Sequence, residues 1–212
     1  MDGFWFYWFC WLMAILVYFF DDIKKRRDLN LSLVLILIIS SILTFSIPFI
    51  SIEVRASLVV FIVLSLKHFL ESKKVQLFYH SIICMMVSGV FLGVHYFIYF
   101  EPVWLYVSPL MMISCGSLVV VLLLVKQFMY RISVMIFGAL QGEVLLTLFL
   151  WNDAHPTLDY IIVGDFYFLD ILSISLLMIV MWEGIERLSE RLKAKWNQGN
   201  ILPPTRKRKL NA

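Results

Sequence analysis

Long apolar runs separated by short polar joints set the pattern of this chain. Seven runs stand out, at about residues 3–20, 31–50, 54–70, 77–100, 103–125, 132–150 and 163–182. Each approaches the ~20 residues that an α-helix needs to cross the hydrocarbon core of a bilayer. The pattern predicts an all-α polytopic transmembrane bundle of seven spans over residues 1–182. No joint is long enough to hold a separate folded domain. After the last run, EGIERLSERLKAKWNQ places Ile185, Leu188, Leu192 and Trp196 on one stripe, with Glu183, Glu186, Arg187 and Glu190 on the polar side. That spacing predicts an amphipathic helix over 183–198, suited to a membrane surface or a partner. Gly199, Pro203 and Pro204 then end regular structure, so 199–212 reads as a disordered basic tail.

Charge orients these runs. With seven spans, the joints at 21–30, 67–76 and 126–131 share a side with the tail, and together they hold seventeen of the eighteen Lys and Arg residues. Only Arg55 falls on the other side. Cationic loops resist translocation, so the basic side is expected to be cytoplasmic, with the N-terminus outside and the C-terminus inside. Lys24, Lys25, Arg26 and Arg27, and Arg206, Lys207, Arg208 and Lys209, are candidate contacts for an anionic inner leaflet. Asp2 stands where a signal peptide would carry basic residues, and no small-residue cleavage site follows, so the first run is expected to remain as a span.

Composition narrows the classes further. Hydrophobic residues make up 61% and charged residues 16% of the 212, with mean hydropathy +0.87, a balance wrong for a soluble domain. The net charge of +3 lies beside the membrane and is no nucleic-acid signal. Cys10, Cys84 and Cys115 sit inside apolar runs without metal or CxxC spacing and read as small hydrophobes. Expectations are therefore a multi-pass protein of the cell membrane, with no cofactor and no metal.

Few polar residues fall at membrane depth. Glu143 is flanked by Gln141 and stacks with Ala139 and Thr147. Asp170, with Tyr167 and Ser173, lies at a similar depth in the last run. An intramembrane acid is costly and faces the bundle interior or water. Glu143 and Asp170 could share a proton or a cation, or each could hold a neighbouring helix. Gly89 with Gly93, and Gly138 with Gly142, form small-xxx-small pairs that let helices approach closely. Trp5, Trp8 and Trp11 form a one-sided aromatic face, expected at the headgroup level. His80 and His95 stand roughly 22 Å apart along one helix and cannot share a metal. Asp153, His155 and Asp159 are ordinary loop residues. No nucleotide-binding, hydrolase or zinc-protease motif occurs, and no catalytic residues are assigned.

The opening GFWFYWFCW, the seven short runs and the ERL-x-ERL tail resemble the YphA/SeaA-type membrane proteins of endospore-forming bacilli. That resemblance implies a multi-pass protein with a part in spore envelope assembly, and it supplies no catalytic residues. The leading expectation is a non-enzymatic membrane protein that scaffolds or assists envelope assembly, with lipid and a membrane or cytoplasmic protein as partners. The alternatives are a small transporter or permease using the Glu143–Asp170 pair, and an intramembrane enzyme on lipid-linked substrates using outer acids and His155.

Overall fold

The computed structural model describes residues 2–21, 23–47, 52–70, 74–100, 107–154 and 161–199. Among them run seven helices: α1 (Phe4–Phe20), α2 (Lys24–Ile42), α3 (Ala56–Leu70), α4 (Lys74–Phe100), α5 (Pro109–Leu124), α6 (Phe128–Ala154) and α7 (Phe166–Gly199). Each overlaps one of the seven apolar runs. Lys74–Phe100, Phe128–Trp151 and Phe166–Trp196 are long and apolar enough to cross a membrane, while Phe4–Phe20, Ala56–Lys67 and Pro109–Leu124 are shorter apolar helices.

Both boundaries of the second run differ from expectation. α2 starts at Lys24, so the basic cluster Lys24–Arg27 forms its first turn and is not a loop. α2 also ends at Ile42, well short of residue 50. Residues beyond it form β1 (Thr44–Ile47) and β2 (Ile52–Arg55), and β3 (Ile161–Val163) precedes α7. A small sheet thus joins an otherwise all-α fold. β1 pairs antiparallel with β2, Phe45 opposite Val54, and β2 pairs parallel with β3, Glu53 opposite Ile162. β-branched Thr, Ile and Val favour this pairing, and Pro48 lacks the N–H a continuing helix would need.

The chain divides into two compact units, 1–179 and 180–212. In the first, the start of α7 is the core: every residue from Phe168 to Leu176 is buried. A helix that is apolar all round belongs inside a bundle. α4 and α6 pack most closely, along Gly138 and Gly142. A Cβ at Gly138 would lie 2.7 Å from Val87 Cβ, and one at Gly142 would lie 2.9 Å from Phe91 Cβ. Gly89 and Gly93 do not make the expected close approach, since a Cβ at either would meet nothing within 4 Å. The 3.6-residue period turns them away from the α4 face that buries Ile83, Cys84, Val87 and Phe91. In the second unit, Ile185, Leu188, Leu192 and Trp196 are exposed along α7, and Arg187 Nε donates to Glu183 Oε1 at 2.9 Å.

Contacts between helix ends sort into two layers. In one, the start of α1 meets the start of α7, the end of α2 meets Arg55 at the start of α3, and His95 near the end of α4 meets Tyr167. In the other, Tyr79 and Arg131, from the starts of α4 and α6, donate to the carbonyls of Leu124 and Val125 at the end of α5. Separately, Arg27 lies 5.5 Å over the ring of Tyr18, joining the start of α2 to the end of α1. The sheet belongs to the first layer.

Candidate functional site

The polar chemistry of the first unit concentrates in the sheet layer. Asp170 lies four residues after Phe166, the first residue of α7, and is buried. Its Oδ2 accepts from Gly3 N and its Oδ1 from Phe6 N, both at 2.8 Å. Gly3 is the N-cap residue of α1 and has no side chain to cap with. A capping side chain ordinarily takes an amide proton of the first turn, and Asp170 does this from another helix. Its negative charge also meets the positive end of the α1 dipole. Gly3 is held at φ +91°, and a Cβ there would press to 2.9 Å from the Phe166 ring.

Arg55, the lone cation on the wrong side of the charge map, is buried. Its Nε donates to Gly164 O at 2.9 Å and its Nη1 donates to Ser41 O. Ser41 belongs to the last turn of α2, where carbonyls lack helical partners. The guanidinium also lies 3.9 Å over the Phe166 ring. One side chain therefore ties the end of α2, the β3–α7 turn and the first residue of α7.

Glu143 reaches the same turn from α6. Its Oε1 accepts from Gly164 N at 3.0 Å, and the side chain is 7% exposed. Gly164 has φ +73°, and a Cβ there would lie 2.6 Å from Leu58, so only glycine fits. The next residue, Asp165, caps α7 by accepting from Phe168 N at 2.7 Å. Burial raises the Asp165 carboxyl above the ordinary carboxylate range. The Phe168 bond and the Arg55 charge oppose that rise, Asp2 adds to it and His95 opposes it.

A cavity adjoins these acids, and a second lies next to it. One, of about 480 Å³, is lined by His95, Glu143, Thr147, Asp165, Tyr167 and apolar neighbours. The other, of about 770 Å³, is an apolar groove between α4 and α6 that includes Gly93, Tyr96, Tyr99 and Phe149. They share His95, Ile98, Leu146 and Leu150. His95 Nδ1 lies 2.9 Å from Phe91 O, and a carbonyl only accepts, so Nδ1 carries the proton.

The sequence-derived candidates separate in space. Glu143 and Asp170 bind different backbone junctions, one at the β3–α7 turn and one at α1. Gln141 is half-buried beside another groove, with Ile62, Leu66 and Phe137. Lys24, Lys25 and Arg26 are exposed, and Arg27 is half-buried. His80 stacks on Tyr130 at 4.7 Å in the opposite layer from His95. Arg206, Lys207, Arg208, Lys209, His155 and Asp159 lie outside the described residues, as does the side chain of Asp153. Among the described residues no group of three or more His, Cys, Asp or Glu could hold a metal ion. Sequence reading missed Arg55 and Asp165. Arg55 was marked by its place on the charge map, and Asp165 by its position as an Asp directly before an apolar helical run.

Apolar helices of spanning length around buried, backbone-satisfying polar groups define an integral membrane protein of helical type. A family model for YphA-like integral membrane proteins matches residues 2–201, and the chain belongs to that family. No curated protein and no solved structure matches it.

Proposed function

We propose that the protein is a non-enzymatic, multi-pass scaffold of the cell membrane that assists envelope assembly, in the setting of the spore envelope. Its seven helices act as seven spans, with the N-terminus outside and the C-terminus in the cytoplasm. The observation that carries this reading is the use of Asp170: both oxygens hold backbone amides of α1. Glu143 likewise spends one oxygen on Gly164. Acids placed this way lock helices together, which supports a scaffold over a permease built on a Glu143–Asp170 pair. The exposed stripe Ile185, Leu188, Leu192 and Trp196, with the basic clusters at 24–27 and 206–209, suits the anionic inner leaflet or a cytoplasmic protein partner. Such attraction weakens as salt rises.

The test is flux. Purified protein reconstituted in vesicles should carry no proton or monovalent-cation flux above that of protein-free vesicles. A flux that disappears in Glu143→Gln, with insertion unchanged, would replace the scaffold with a transporter.

A further inference from the structure

The cavity beside Glu143 and the groove next to it have a chemistry that scaffolding does not require. Glu143 is 7% exposed and borders the 480 Å³ cavity. Its Oε1 is engaged by Gly164 N, while its Oε2 takes no hydrogen bond from the described residues. Asp165 spends Oδ1 on Phe168 N, and among the described residues Oδ2 has no hydrogen-bond partner. With Nδ1 of His95 donating to Phe91 O, the neutral ring presents Nε2 as an acceptor. Glu143, Asp165 and His95 thus all offer acceptors to one space, and two of them are carboxyls. Arg55, the nearby cation, does not line this cavity; it is committed to Gly164 O, Ser41 O and the Phe166 ring. An ammonium supplies three N–H donors and a positive charge, which is the complement of such a lining.

The neighbouring space fits hydrocarbon. The 770 Å³ groove is walled by Leu92, Tyr96, Tyr99, Leu145 and Phe149 and shares His95, Ile98, Leu146 and Leu150 with the polar cavity. Both volumes fall within the roughly 300–1,000 Å³ of ordinary ligand sites. Gly93 keeps the groove open, because nothing lies within 4 Å of where its Cβ would be.

We propose that these two cavities form one binding site for an aminolipid. The chain lies in the groove between α4 and α6, and a primary ammonium sits against Glu143 and Asp165. A quaternary head lacks N–H donors and fits the same acceptors poorly.

Full-length protein in nanodiscs of phosphatidylethanolamine and phosphatidylcholine with matched chains provides the test. After extraction into neutral detergent, the lipid that remains bound is quantified by mass spectrometry. The wild-type protein should retain phosphatidylethanolamine over phosphatidylcholine by at least about tenfold, the scale of one charge-assisted hydrogen bond. Glu143→Gln combined with Asp165→Asn should bring that ratio close to one, since both amides keep their backbone-accepting oxygens. Gly93→Phe, which enters open space, should sharply lower retention of both lipids. A wild-type ratio near one overturns the proposal. So does an unchanged ratio in a normally melting double variant, or full retention in Gly93→Phe. If the double variant does not fold, the wild-type ratio and Gly93→Phe still decide. None of these outcomes bears on the flux test of the scaffold.

Discussion

At the residue scale, the molecule resolves its rare buried charges by giving each a backbone partner. Asp170 is the clearest case, because it serves α1 as an N-cap that α1 lacks. Asp170→Ala would strand the Gly3 and Phe6 amides, at about 1–3 kcal/mol for each buried unsatisfied group. Asp170→Asn keeps one acceptor and loses the charge, so it should cost only about 1 kcal/mol. Thermal unfolding of the purified protein in mild detergent should therefore rank wild type, Asn and Ala in descending order. An Ala variant that melts with the wild type would show that the cap contributes nothing. The sequence revealed that Asp170 is an acid within an apolar run, but not what it binds. Its partner amides belong to Gly3 and Phe6, more than 160 residues away, and backbone amides leave no signature in side-chain identity. Arg55 was legible only as an exception to the charge rule. The exception is accommodated because the guanidinium is buried, with Nε and Nη1 on the Gly164 and Ser41 carbonyls and the Phe166 ring beneath it.

At the scale of elements, helices were legible and strands were not. A helix of 15 to 30 apolar residues is long enough to show its identity by length alone. The segments TFSI and IIV are only four and three residues long, too short for an alternation to stand out against the long apolar runs they adjoin. The extension of the second expected span to residue 50 came from that ambiguity. Helix packing was half legible for a related reason. Both glycine pairs recur at four residues, but only neighbouring chain decides which pair is covered. Gly138→Ala should push against Val87 and the Cys84 carbonyl and destabilise by about 1–3 kcal/mol, the usual range for overpacking. Gly89→Ala enters open space and should be neutral or slightly stabilising, since Ala is the better helix former. Melting temperatures of the two variants in the same detergent check the contrast; equal shifts would contradict the assigned interface.

At the scale of the whole molecule, the two-layer arrangement of helix ends bears on topology. The starts of α1, α3 and α7 gather with the ends of α2 and α4, while the starts of α4 and α6 gather with the end of α5. The proposed seven successive crossings would produce alternation of this kind. On the proposed seven-span topology, charge would set the direction: inversion would place seventeen of the eighteen Lys and Arg residues outside, against the insertion bias. It would also place the buried Arg55 as the lone cation inside. In a Cys115→Ser background, with Cys10 and Cys84 buried, a cysteine introduced at Asp153 should react with a membrane-impermeant thiol reagent on intact cells. A cysteine introduced at Lys126 should react only after the membrane is opened. A reporter fused to the C-terminus should be active only in its cytoplasmic form. Protection at position 153 together with labelling at 126 on intact cells would invert the map and move the exposed stripe of α7, with its basic neighbours, to the outer face.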